Sequence, residues 1–167
     1  MIIKSKSCTY LFDFDGTLAG MNEWRSVWKN NVSVFTTGIY INPHKYDIRW
    51  SILTGRPRID FPMIKLACMI YGLYPTNILC SPDLFFDNSK TSHQQLDMKV
   101  DTIVSILMGR DDRFDGVQKV FYIDNDLEVV KYINSRRRLY IGDQCHILPF
   151  LAITSFDFVK QEFDLYI

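Results

Sequence analysis

The stretch Leu11–Gly20, LFDFDGTLAG, closes an apolar run with two carboxylates, Asp13 and Asp15, separated by a single residue and followed by Gly-Thr. Carboxylates this close repel each other, and burial raises the cost. A hard cation such as Mg²⁺ removes the conflict, because it takes oxygen ligands and often recruits one or two carboxylates together with phosphate oxygens. Two more polar clusters follow apolar runs, Thr54-Gly55-Arg56 and Asp124-Asn125-Asp126. The first offers a hydroxyl and backbone donors to a phosphate, and the second a further oxygen ligand for the cation. Gly16 permits a tight turn whose following N–H groups can face an anion. Lys99 offers a positive charge from a helix start. A cation, donors and a lysine around a carboxylate suit phosphoryl transfer, where positioning and charge neutralisation supply most of the catalysis. A carboxylate can also be the nucleophile itself. Asp, Asn and Gly are ordinary turn residues as well, so each cluster alone reads as a surface turn. Three of them at three strand ends ask for a common cause.

The elements that must carry these clusters alternate. Cys8–Phe12, Ile48–Thr54, Asn77–Cys80, Val120–Ile123 and a short Leu139–Ile141 read as strands. Phe61–Tyr71, Leu96–Met108 and Leu127–Asn134 show helical spacing, the first two stopped by Gly72 and Gly109. Near-continuous apolar strands alternating with helices predict an α/β fold, a three-layer α/β/α sandwich around a mostly parallel, Rossmann-like sheet. Ligands in that architecture bind beyond the carboxyl ends of the strands. The 167 residues suffice for one domain with a full core. Lys plus Arg and Asp plus Glu balance at 19 each, which disfavours a protein that coats nucleic acid through net charge. Arg136–Arg138 is the only dense basic run and reads as a solvated helix end. Cys8, Cys68, Cys80 and Cys145 have no CxxC spacing and no histidines arranged around them, which argues against a zinc site and for a reducing compartment. No apolar stretch approaches a membrane span and the N-terminus lacks a signal-peptide core, so the expected location is cytoplasmic.

The order DFDGT, ILTGR, a helical lysine and YIDND resembles the haloacid dehalogenase-like phosphohydrolases over roughly residues 8–134. The resemblance implies a Rossmann-like sandwich and a Mg²⁺-dependent phosphatase working through an aspartyl-phosphate. It makes Asp13 the nucleophile and a metal ligand. Asp15 becomes the general acid/base, with its backbone carbonyl on the metal. Thr54 binds the phosphate with Gly55 and Arg56 beside it, Lys99 steadies nucleophile and phosphoryl group, and Asp124 with Asn125 completes the metal site. Many relatives have Asp-Asp at the last motif; some capless phosphatases use Asp-Asn, with the amide oxygen on the metal. Lys90, in the polar stretch DNSKTS, is the rival to Lys99. Transport ATPases that resemble this motif carry Thr in place of Asp15, and the dehalogenases lack the second Asp, so Asp15 favours a phosphatase.

Neither the gap before Ile48 nor that between Pro57 and Lys99 has room for a cap domain, so residues 19–47 read as a short flap over an open site. Trp24, Trp28, Phe35 and Tyr40 in that insert either stack on a base or pack the flap onto the domain. Arg25, Arg56 and Arg58 are candidate phosphate contacts. The layout is more loosely similar to the phosphatase half of polynucleotide kinase-type repair enzymes, which points to a nucleotide or nucleic-acid end as the phosphorylated substrate. The competing reading is a degenerate hydrolase fold that binds a nucleotide or phosphorylated ligand without cleaving it. Residues 142–150, GDQCHILPF, read as a loop near the site, and the tail 156–167 as a terminal amphipathic element. Neither determines an oligomeric state.

Overall fold

A computed structural model of the chain describes residues 7–20, 39–82, 91–140 and 145–149. Within them β1 (Cys8–Phe12), β2 (Trp50–Pro57), β3 (Ile78–Ser81), β4 (Lys119–Asp124) and β5 (Cys145–Pro149) form one sheet in the order β3-β2-β1-β4-β5. Every pairing is parallel. Helices α1 (Phe61–Ile70), α2 (Thr91–Leu107) and α3 (Leu127–Tyr140) lie between successive strands.

Side chains alternate across a strand, and here the alternation sorts two cores. Tyr10, Phe12, Ile52, Phe121 and Ile123 share one face with Ile64, Ala67 and Cys68 of α1. Leu11, Leu53, Val120 and Tyr122 point the other way and pack with Val100, Ile103 and Ile106 of α2 and Val130 and Ile133 of α3. The sheet is therefore the middle layer of three, as a parallel sheet covered on both faces must be. From β1 the chain steps outward through β2 to β3, then returns across the sheet to β4 on the other side of β1. The connections diverge between β1 and β4, and a crevice opens there at the carboxyl ends of the strands.

Several boundaries differ from expectation. β2 does not stop at Gly55 but runs on through Pro57. Its pairing passes from Leu53↔Leu79 to Pro57↔Ser81, so β2 holds two more residues than β3 over that span and bulges. α2 begins at Thr91, which places Lys99 in mid-helix and not at its start. Residues 93–98 of it are exposed or half-buried, and their largely polar character hid the early turns. α3 continues through the arginine run to Tyr140, so the strand expected at Leu139–Ile141 does not form. Arg and Leu are strong helix formers, and a short apolar run cannot by itself separate helix from strand. The last strand is instead Cys145–Pro149, inside the segment expected to be a loop. Its ladder with β4 runs from Val120↔Cys145 to Asp124↔Pro149.

α1 ends as its glycine suggests. Gly72 (φ 66°) donates to the Met69 carbonyl and Leu73 to that of Cys68, the paired bonds of a left-handed C-terminal cap. Trp24, Trp28, Phe35 and Arg25 of the expected flap, Lys90 and the tail 156–167 lie outside the described residues. Of the insert's described ends, Ala19 bridges Ile39 antiparallel and Tyr40 is exposed. Among the described residues no helix is long and apolar enough to cross a membrane.

Candidate active site

β1 and β4 run in register, Phe12 beside Ile123, and the ladder continues one step further as the Asp13 N–H donates to the Ile123 carbonyl at 2.9 Å. Asp13 and Asp124 thus emerge side by side from adjacent strands, both buried. Lys99 reaches them from α2. It lies four residues before Ile103 and seven before Ile106, on the helix face turned to the sheet, so its stem is buried with theirs. Its Nζ donates to Asp13 Oδ1 at 3.0 Å and to Asp124 Oδ2 at 2.8 Å. Tyr122, two residues before Asp124 on the same strand face, donates its hydroxyl to Asp124 Oδ2. The Lys99 ammonium stands 5.6 Å from the centre of the Tyr122 ring. The Asp126 N–H donates to Asp124 Oδ1 at 2.8 Å. Both Asp124 oxygens are therefore engaged, and the carboxylate anchors Lys99.

Burial pushes Asp13 up to about 7; Lys99 opposes this, while Asp124 and Asp15 add to it. Burial works against the Lys99 ammonium, but the carboxylates of Asp13 and Asp124 outweigh it and hold its pKa above that of an ordinary lysine. Tyr122 is held well above the usual tyrosine value by burial first and by Asp124 second, so it stays a hydrogen-bond donor.

The turn after β1 is closed by Ala19 N–H to the Phe14 carbonyl at 3.0 Å and Gly16 N–H to the Ala19 carbonyl at 2.8 Å. Gly16 has φ 77°, and a Cβ there would lie 2.6 Å from Asn125 Nδ2. Only glycine suits both the angle and the approach. Behind it Thr17 donates its hydroxyl to Asn125 Oδ1 at 3.1 Å and accepts the Asn125 N–H at 3.0 Å. This reciprocal pair bolts the Asp13–Asp15 turn to the end of β4. Asp126 accepts the Glu128 N–H at 2.9 Å, the bond of a helix N-cap.

The β2 bulge supplies the third cluster. The Arg56 N–H donates to Thr54 Oγ1 at 3.2 Å. α2 passes so close that a Cβ on Gly55 would sit 3.3 Å from Gln95 Oε1. The Arg56 guanidinium grips Asp15 at two points, Nε to Oδ2 at 2.6 Å and Nη2 to Oδ1 at 2.8 Å. Its Nη1 lies 3.8 Å from Asp60 Oδ2.

Eight of the expected site residues line one cavity of about 490 Å³: Asp13, Asp15, Thr54, Gly55, Arg56, Lys99, Asp124 and Asn125. Arg58 is exposed and outside the lining. Gln95, Leu96, Glu128 and Val129 also line the cavity and were not anticipated. Gln95 and Leu96 lie four and three residues before Lys99, so helical spacing from the lysine would have found them. Tyr122 could have been found in the same way, by strand alternation from Asp124.

Among the described residues no three His, Cys, Asp or Glu side chains converge as a metal cluster. Asp13 spends Oδ1 on Lys99, and Asn125, whose amide oxygen accepts from Thr17, lines the same cavity. A carboxylate oxygen and an amide oxygen are hard donors that suit a Mg²⁺ retaining several of its waters. Comparison with protein-family models, curated proteins and solved structures finds no match for the chain.

Proposed function

We propose that the chain is a phosphomonoesterase of the haloacid dehalogenase type, in which Asp13 is the nucleophile. The observation that carries this reading is Lys99 Nζ bridging Asp13 and Asp124 at the strand ends, in a cavity that also holds Thr54 and Asp15. Lys99 holds Asp13 in place and offsets negative charge as the phosphoryl group approaches. Thr54, with its hydroxyl pinned by the Arg56 N–H, presents donors to the phosphate oxygens. Asp13 forms the new bond to phosphorus while the bond to the leaving oxygen breaks, and that oxygen takes a proton from Asp15. Water then attacks the aspartyl-phosphate and gives its proton to Asp15, and the bond to Asp13 breaks to release inorganic phosphate. Mg²⁺, which Asp13, Asp124 and Asn125 would hold with the Asp15 carbonyl, would supply charge neutralisation at the phosphoryl group and relieve the repulsion among the carboxylates. A cavity of about 490 Å³ admits a phosphate with a nucleoside-sized group, which supports a nucleotide or a nucleic-acid end as substrate.

One observation favours the alternative, a module that binds a phosphorylated ligand without cleaving it. Both Asp15 oxygens already accept from Arg56, at 2.6 and 2.8 Å, so a leaving group would have to share an engaged oxygen. A phosphate-release screen with Mg²⁺ over mononucleotides, 3′- and 5′-phosphorylated oligonucleotides, phosphopeptides and 4-nitrophenyl phosphate separates the two. Turnover that Asp13→Asn abolishes, with the variant still folded, is the expected result. An Asp13→Asn chain as active as the parent would sink the mechanism, and stoichiometric binding of an uncleaved nucleotide would favour the module.

A further inference from the structure

We propose that Arg56 is a positioning residue for Asp15, holding its carboxylate as the base of the second half-reaction, and is not a ligand of the substrate phosphate. This rests on the phosphatase reading above. Arg56 leaves the β2 bulge buried, 6% exposed, and its fork meets both oxygens of Asp15 at 2.6 and 2.8 Å. Its remaining terminal nitrogen is turned to Asp60, 3.8 Å away and itself buried. A guanidinium directed at two carboxylates is poorly disposed to receive a phosphate dianion. Two parallel charge-assisted bonds do fix the plane of a carboxylate. In the second half-reaction this carboxylate is the base that takes a proton from water. In that step the water oxygen bonds to phosphorus and the bond from phosphorus to Asp13 breaks. Its electron pair returns to the Asp13 carboxylate, and the water proton passes to Asp15. An aryl leaving group departs without a proton in the first half. Arg56 therefore matters more for hydrolysis of the aspartyl-phosphate than for its formation.

Rapid acid quench of the full chain with ³²P-labelled 4-nitrophenyl phosphate and Mg²⁺ reads both halves. In Arg56→Gln the burst of nitrophenol persists, phosphate release falls by about 10- to 100-fold, and labelled protein accumulates; the size is smaller than the roughly 10²- to 10⁴-fold of a whole general base, because Asp15 itself remains. A slower burst with raised KM and no accumulation would instead make Arg56 a phosphate ligand and overturn the proposal. Arg56→Lys keeps the charge but not the fork, so it is expected to hydrolyse as slowly as the Gln variant. Recovery to within about 2-fold of the parent would overturn two-point positioning, since charge alone would then suffice. Should Arg56→Gln alone fail to fold, the pair Asp15→Asn and Asp15→Asn/Arg56→Gln decides, because both lack the Asp15 charge. A residue acting through Asp15 adds less than about 3-fold in that background, whereas a full additional loss contradicts the proposal. A parent chain that forms no acyl-phosphate and releases no phosphate overturns the phosphatase reading and this inference with it. Turnover by the parent with contrary Arg56 results overturns this inference alone.

Discussion

Asp13 sits where its charge costs most, buried beside Asp124 and Asp15, with Lys99 as the compensating cation. Its pKa of about 7 lies above the ordinary 3.8, so the folded chain holds a proton that the unfolded chain has already released. That contribution to stability is complete below about pH 4 and is lost as pH rises through about 7. In the metal-free chain the difference in unfolding free energy between Asp13→Asn and the parent is therefore expected to grow in the variant's favour between those values. Its size is on the order of 4 kcal/mol, since one pKa unit corresponds to about 1.4 kcal/mol. Urea unfolding at a series of pH values measures it, and a difference independent of pH would show that Asp13 is not so perturbed. The candidacy of Asp13, Asp15 and Thr54 was legible because each follows an apolar run directly. The partner of Arg56 was not: Asp15 is 41 residues away, and an arginine beside a strand end reads equally well as a phosphate contact.

Between the strands the decisive device is the turn joining β1 to the end of β4, where Gly16 lies against Asn125 and Thr17 exchanges hydrogen bonds with it. Gly16→Ala meets both a left-handed backbone angle and a side chain at 2.6 Å. We expect it to destabilise the chain by about 2–3 kcal/mol, and chemical denaturation checks this. A loss under about 0.5 kcal/mol would mean that the turn and Asn125 are not held together as described. The glycine and threonine were readable as parts of a motif, but their grip on Asn125 was not. The β2 bulge was equally hidden, because a bulge is a mismatch between two strands and one strand's sequence carries no sign of its partner's length. α3 and β5 were misplaced for a related reason: Leu139–Ile141 is apolar enough for either state, and the preceding helix decided it by continuing.

Across the fold, two hydrophobic cores on opposite faces of the sheet hold β1 and β4 rigid at the point where the connections diverge. A cation held there, as proposed, would link the two strands and so stabilise the folded chain as a whole. Mg²⁺ at ten times its dissociation constant is expected to add about 1.4 kcal/mol, seen as a rise in Tm that Asp13→Asn abolishes. An unchanged Tm across millimolar Mg²⁺ would argue against the metal role of Asp13. Each apolar strand and each helix periodicity is a local property, written within a few residues, and together they predict the parallel sheet with helices on both faces. The chemistry of each strand end is local in the same sense: Asp13 and Asp15, Thr54 to Arg56, and Asp124 with Asn125 are short clusters that declare their donors and charges by themselves. Which charge faces which is not local. Lys99 meets Asp13 across 86 residues of chain, and it does so because α2 returns over the sheet and turns that face inward. Tyr122 behind Asp124 and Arg56 on Asp15 follow from strand register and from the bulge. Sequence by itself determined four of the five strands, the three helices in outline and the reactive groups at the strand ends; tertiary structure alone set β5, the β2 bulge and the pairing of those groups, because these depend on packing between segments that share no neighbourhood along the chain.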